Sequence, residues 1–431
     1  MKQYDYRSLN HSERQALVKR PGSDLSDILP TVREVVQAVS ERGDKAVRQY
    51  SWQFDGVDLE TLRPTIDEFS RANSKLKQST KEAILDAATS IRKYHIPQVP
   101  NPLLVQTRPG VQCSLEWRPI RHVGLYVPGG SAPLVSTFLM LTIPAQIAGC
   151  PEIIVCTPPR SDGSISDEIL FAADALGIRS LYKIGGSQAI AAMAIGTNSV
   201  PKVDKIFGPG NRYVSATKAI VAQSPYNVAI DMIAGPTELL IIADDSSDSS
   251  WVASDLLSQA EHGVDSHVVL VTPSALLARS VEQEIANQLT SLPRSTIARR
   301  ALESSAIVVV ADIDEAIEFS NDYAPEHLII ATSSAASVMS RIVNAGSVFL
   351  GSLTSVVFGD YASGTNHTLP TGGTATASGG LMVSHFMKPI FFQTVNEEGL
   401  TALAQTTASL AEAEGLDGHA RAARMRGSKR D

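Results

Sequence analysis

The chain has 431 residues, 43% of them apolar and 19% charged, and 37 basic against 45 acidic side chains leave a formal charge of −8. A chain of this length buries a large core and, at roughly 150 residues per domain, holds about three domains or two larger ones with appendages. The acidic balance, without a long Lys/Arg block, argues against nucleic acid or an anionic membrane as the main partner and in favour of small molecules.

No apolar run approaches the ~18 residues of a membrane span, and the start MKQYDYRSLN has no hydrophobic stretch to act as a signal peptide. A soluble, cytoplasmic protein is expected. Cys113, Cys150 and Cys156 are odd in number and lack C-x-x-C spacing, so neither a disulfide framework nor a thiolate zinc site is available. Cys150 and Cys156, flanking PEIIV, read as small buried hydrophobes.

Residues 1 to about 110 carry helical spacing, with Leu25, Ile28, Val32, Val35, Val36 and Val39 recurring at threes and fours, and predict an α-helical opening segment. From about 120 the texture becomes βα: EIIVCT, SLYKIGG with the helix SQAIAAMAIG, DKIFGPG with the helix NRYVSATKAIVAQ, then VAIDMIAGP. It restarts with LLIIADD, a helix from Trp251 to Glu261, HVVLVTP, a helix near 275 to 290, SAIVVVAD, HLIIATS and SVFLGS. These are too many strands for one compact sheet. Two doubly wound lobes are expected, divided near Gly235 and Pro236. The Gly/Thr-rich stretch from Gly351 to Gly380 reads as a long functional loop, and residues 397–427 as a helical tail ending basic with Arg421, Arg424, Arg426, Lys429 and Arg430.

There is no G-x-x-x-x-G-K-[ST], and the nearest approach to G-x-G-x-x-G is GPGNRY, whose sixth residue is Tyr213. Glycine turns do stand at strand ends, at Gly129 with Gly130, Gly185 with Gly186, and Gly208 with Gly210. Beyond the carboxyl ends of parallel strands such turns suit a pyrophosphate, and equally suit ordinary βα connections. Gln259 and His262 in SQAEHG fall three apart near a helix end that stops at Gly263, a spacing that lets both face one ligand. Asp360, Asn366, His367 and His419 supply further oxygen and nitrogen donors. Without thiolates, such a set suits zinc or another first-row divalent ion. Glu326 and His327 follow Pro325 at the start of a strand that otherwise reads fully buried, where a carboxylate and an imidazole could share proton-transfer chemistry if the turn distorts the pleat.

GLYVPGGSAPLVSTFLM, KIGGSQAIAAMA, VDKIFGPGNRYVSATK, DMIAGPTELLIIAD, SQAEHG, YAPEHLII and GDYASGTNHTLPTGG together resemble the histidinol dehydrogenase family, in that family's order and over roughly residues 25 to 425. The resemblance implies two Rossmann-like, aldehyde-dehydrogenase-like lobes with helical appendages. These are an N-terminal arm (1–26), a zinc and substrate lobe (27–122 and 237–381), an NAD-side lobe (123–236) and a C-terminal helical tail (382–431). It implies one zinc per subunit held by Gln259, His262, Asp360 and His419, the last supplied across a homodimer interface. Thr237, His327, His367 and Glu414 would complete the substrate pocket around these ligands, NAD would lie against Tyr126, Gln188 and Asn211, and Glu326 and His327 would be catalytic. The implied reaction is the four-electron oxidation of L-histidinol to L-histidine by two NAD. Thr237 stands where serine is common, LTSVV before Phe358 lacks the usual Pro-Glu run, and LMVSHFMKPIFFQTV differs in detail from the usual segment. A relative of the same fold oxidising another alcohol, and a zinc hydrolase or silent metal-binding protein, remain the alternatives.

Overall fold

The β-branched runs form two parallel sheets. The computed structural model describes residues 1–20, 25–129, 134–223 and 225–427; Gly130, Lys429 and Arg430, singled out above, lie outside them. One sheet has five strands in the order Leu181–Lys183, Glu152–Thr157, His122–Tyr126, Lys205–Phe207 and Ala229–Ile230. The other has six: Lys2–Asp5, Ala306–Val309, His267–Thr272, Glu238–Ala243, His327–Ala331 and Ser347–Leu350. Leaving aside the N-terminal edge strand, each follows the chain order 3-2-1-4-5. Both are therefore doubly wound, with the winding reversing beside their first strand.

Strands such as ELLIIA and HVVLVT are buried along their whole length because helices cover both faces. Burying one Leu or Ile side chain contributes about 2 kcal/mol relative to leaving it in water. Cys150 and Cys156 are buried, and the described cysteines form no disulfide. No helix among the described residues is long and apolar enough to cross a membrane.

Four expectations are corrected. First, the opening segment is not all helical: Lys2–Asp5 pairs in parallel with Ala306–Val309 at the edge of the six-stranded sheet. Leu103–Arg108 and Val111–Pro119 also form a hairpin through Gly110, whose φ of +74° suits glycine. Second, residues 28–62 and 72–91 pack on the two faces of the five-stranded sheet rather than with 237–381, because their apolar side chains share its cores. Third, the C-terminal segment contains a strand, Met387–Val395, antiparallel to Val111–Pro119, before the helices Glu397–Ala413 and Asp417–Gly427. Fourth, the Gly/Thr-rich stretch contains a helix, Val356–Tyr361, N-capped by the Ser355 side chain, and buries Val356, Asn366, Thr368 and Leu369.

Candidate active site

The catalytic candidates gather where the two sheets meet. A cavity of about 310 Å³ is lined by Thr237, Gln259, His262, Glu326, His327 and Asp360, with His367 beside them. Two of the contributing segments belong to the six-stranded sheet, but at the amino ends of its strands. Thr237 precedes the strand Glu238–Ala243, and Glu326 precedes His327–Ala331, its immediate neighbour. Helix Ser249–Ala260 runs back to that edge and delivers Gln259 in its last turn, while His262 sits in the turn just beyond, its N–H donating to the Gln259 carbonyl at 3.3 Å. From the other sheet come Pro209 and Gly210, at the carboxyl end of Lys205–Phe207.

The turn before Glu326 is distorted, as its double role requires. Ala324 has φ +49°, a left-handed conformation that costs a residue with a Cβ about 1 kcal/mol. It caps helix Ile313–Tyr323 and swings Pro325 so that Glu326 lies outside the regular strand while His327 opens it. Both then reach one cavity.

Hydrogen bonds fix each of these groups. The Glu326 carboxylate accepts from the Thr237 hydroxyl at 2.7 Å and from the Glu238 N–H at 2.8 Å. The Thr237 hydroxyl oxygen in turn accepts from Gln259 Nε2. Because the amide nitrogen is so engaged, Gln259 Oε1 turns away, buried and without a hydrogen-bond partner. His327 Nδ1 lies 3.1 Å from the Glu238 carbonyl, which can only accept, so Nδ1 carries a proton, while Nε2 has no hydrogen-bond partner among the described residues and lies 3.6 Å from Asp360. His367 Nε2 bonds the Thr137 hydroxyl at 2.9 Å, with its Nδ1 3.9 Å from Asp360.

Charge follows the same geometry. Burial pulls the His327 pKa down, but Glu326 and Asp360 outweigh it and raise it to about 10. A base role at neutral pH therefore requires another group to take up one of those carboxylate charges. Burial favours a neutral Asp360, yet His327, His367 and His262 hold its carboxyl below the usual range. For His367, burial prevails and lowers the pKa.

The donor set suits a divalent cation in kind. Gln259 supplies an orphaned buried oxygen, a state that costs about 1–3 kcal/mol unless a ligand meets it. His262 and Asp360 face the same cavity. Among the described residues, however, no three His, Cys, Asp or Glu side chains of one chain form a metal-binding group. His419 and Glu414 lie on the exposed C-terminal helical pair and do not line this cavity.

A second, larger cavity of about 920 Å³ opens at the carboxyl edge of the five-stranded sheet, and its lining includes Tyr126, Gly129, Gly186, Asn211 and Asp55. Asn211 caps helix Arg212–Ala222, its side-chain oxygen accepting from the Tyr213 and Val214 N–H groups at 3.0 and 3.1 Å. Gly208 has φ +115°, and a Cβ there would meet the Tyr126 carbonyl at 2.1 Å. Only glycine lets the loop to Asn211 pass so close. Gln188 is wholly buried and is not among the lining residues.

Several contributors were not foreseen. Glu238 supplies the backbone that holds both Glu326 and His327, and its carboxylate is paired with Arg20 at 2.9 and 3.1 Å. A charge opening the buried run ELLIIA was the available signal, the same one that singled out Glu326. Thr137 and Asp55 carried none.

A dinucleotide-sized cavity on one doubly wound sheet, opening toward an acid–imidazole pair on a second, defines a two-lobed α/β enzyme built for proton transfer beside a bound cofactor. A sequence profile of the histidinol dehydrogenase family matches residues 18–427. The chain is 47% identical over 425 residues to the histidinol dehydrogenase of Vibrio vulnificus strain CMCP6, covering 98% of each, and 46% identical over 423 residues to that of Salmonella typhimurium, covering 98% of this chain and 96% of the relative. The crystal structure of histidinol dehydrogenase from Elizabethkingia anophelis superposes with a TM-score of 0.95 at 45% identity, over 99% of this chain and 98% of that one. The chain belongs to the histidinol dehydrogenase family.

Proposed function

We propose that this protein is a cytoplasmic, zinc-dependent homodimer that oxidises L-histidinol to L-histidine through the aldehyde, passing two hydrides to two NAD at the end of histidine biosynthesis. The observation that carries it is convergence: Thr237, Gln259, His262, Glu326, His327, Asp360 and His367, drawn from separated blocks of chain, line one cavity. Gln259, His262 and Asp360, which line one cavity, would hold the zinc, with His419 of a second copy as the fourth ligand. Glu414 would arrive with it. Residues 123–236 would form the NAD side, with Tyr126 and Asn211 at the cofactor and Gln188 behind them.

Bound by Gln259, His262 and Asp360, zinc would supply a Lewis-acid anchor for the substrate's imidazole and amine, and NAD held by the five-stranded lobe would supply the hydride acceptor. In the first half, His327 Nε2 takes the hydroxyl proton, its ring held in the required tautomer by the Glu238 carbonyl. In the second half, Glu326 deprotonates a water that adds to the aldehyde carbon. The Thr237 and Glu238 donors aim its carboxylate without neutralising it. His367, braced by Thr137, limits the movement of the aldehyde between the two steps.

Incubation with L-histidinol and excess NAD tests this. Two NADH per histidinol, with histidine as product, is the expected result. A single NADH, or turnover only with a different alcohol, would overturn the assignment.

A further inference from the structure

Among the described residues lining the 920 Å³ cavity, Asp55 is the only acid. It comes from the helical turn Ser51–Asp55 of the N-terminal segment rather than from the sheet. Among the described residues one donor reaches it, Gln188 Nε2 at 3.2 Å from Oδ2. Its other oxygen, Oδ1, has no donor among the described residues and lies beside Gly185, where a Cβ would stand 3.4 Å away. Gln188 Oε1 is also without a partner and points at Gly186, whose own N–H is spent on the Tyr126 hydroxyl at 3.0 Å. Among the described residues this corner thus presents two unpartnered acceptor oxygens, Asp55 Oδ1 and Gln188 Oε1. Burial, unopposed by any cation, lifts the carboxyl to about pKa 6, as expected of an acid awaiting donors.

Such a corner accepts hydroxyl groups and repels a phosphate dianion. Arg160, the only cation among the described lining residues, is already paired with Glu168 at 3.4 Å and offers little compensation. The orientation of a dinucleotide follows from the neighbours. Asn211 connects through Gly210 and Pro209 to the substrate cavity, where hydride transfer must occur, whereas Asp55 adjoins the half-exposed ring of Phe54, a surface for a purine. The adenosine end belongs beside Asp55.

We propose that Asp55 selects a dinucleotide with a free adenosine ribose diol, accepting a hydrogen bond from the 2′-hydroxyl and excluding the 2′-phosphorylated form, with Gln188 as the buried positioning residue that aims it. This rests on the assignment of the cavity to NAD. An acidic side chain on the ribose is the general device by which doubly wound folds make this distinction.

The test is the affinity of the zinc-loaded protein for NAD, NADP and NAD lacking the adenosine 2′-hydroxyl, measured calorimetrically. A hydrogen bond to a charged acceptor corresponds to roughly a 10-fold to 100-fold effect, so the wild type should bind both analogues at least ~10-fold more weakly than NAD. Asp55→Asn should weaken NAD by ~10-fold and bring NAD and NADP to within ~3-fold of each other. A wild type that binds the deoxy analogue as tightly as NAD, or an Asp55→Asn variant that keeps the full preference, would overturn the proposal. Should that variant not fold, the analogue series on the wild type decides alone. Ser161→Trp, in the exposed cavity wall, separates the two levels. NAD affinity unaffected by that bulk overturns the cavity assignment itself. Lost affinity with an unchanged Asp55→Asn preference overturns only the role of Asp55.

Discussion

The Glu326 carboxylate accepts the Thr237 hydroxyl at 2.7 Å, a contact that ties the two strand starts together across 89 positions of chain. Because the same hydroxyl accepts from Gln259 Nε2, one side chain links the proton-accepting carboxylate to a zinc-ligand candidate. Thr237→Val keeps the shape and removes both bonds, and should lower kcat by about 10-fold to 100-fold, whereas Thr237→Ser should stay within about 3-fold of the parent. Steady-state kinetics check this, and a valine variant with normal kcat would remove the hydroxyl from the account.

Glu326→Gln retains the hydrogen bonds from Thr237 and Glu238 but cannot take a proton from water. Oxidation supplied with the aldehyde should fall by about 100-fold or more, while alcohol oxidation, measured as the first NADH, should fall less. Equal losses in both half reactions would contradict separate duties for Glu326 and His327.

His262→Asn should reduce the zinc content of the purified protein to well below one per chain, since removing a metal ligand lowers affinity by more than the 10-fold to 100-fold typical of its outer partners. Elemental analysis reads this directly. Undiminished zinc would remove His262 from the ligand set.

Much of this site could be read from the chain because chemistry leaves polar residues where packing would not place them. Glu326 and His327 at the mouth of a buried strand, and Gln259 with His262 beside a helix end, are of this kind. What could not be read was direction. The amino-edge location of Thr237 and Glu326 arises because helix Ser249–Ala260 returns Gln259 to the starts of the strands, a consequence of tertiary packing. The hairpin through Pro109 and Gly110 did carry a turn signal, overlooked against the helical texture upstream. The edge strand Lys2–Asp5 carried almost none: four residues gain their conformation from pairing with Ala306–Val309.

The Arg20–Glu238 pair anchors the backbone behind both catalytic residues, and Arg20 also donates to the Ala324 carbonyl at 3.2 Å and stacks on Tyr323. Arg20→Met would leave a carboxylate buried without its cation, and should destabilise the protein by about 3–5 kcal/mol. Denaturant titration measures it. A loss under about 1 kcal/mol would mean that the strand starts are held by other contacts.

His267, 6% exposed, bonds the Tyr323 hydroxyl at 2.6 Å and the Ser304 carbonyl at 3.0 Å, and burial lowers its pKa to about 4. In the unfolded chain an imidazole takes up its proton near pH 6.5. Between those values the unfolded state binds the extra proton, so stability falls as the pH drops from about 6.5 to about 4, by about 3 kcal/mol from this group. His267→Gln should flatten the pH dependence of stability in that window by about one proton. An unchanged slope would show that His267 titrates normally in the folded protein.

The central claim is that Gln259, His262 and Asp360 gather one zinc against Glu326 and His327, and that a second chain completes it. Anomalous diffraction at the zinc edge, on crystals grown with histidinol, tests this most directly. The account predicts one peak per chain, bonded to those three side chains and to His419 of a second copy, with the substrate carbinol facing His327. A peak elsewhere, or one with no contribution from His419, would contradict it.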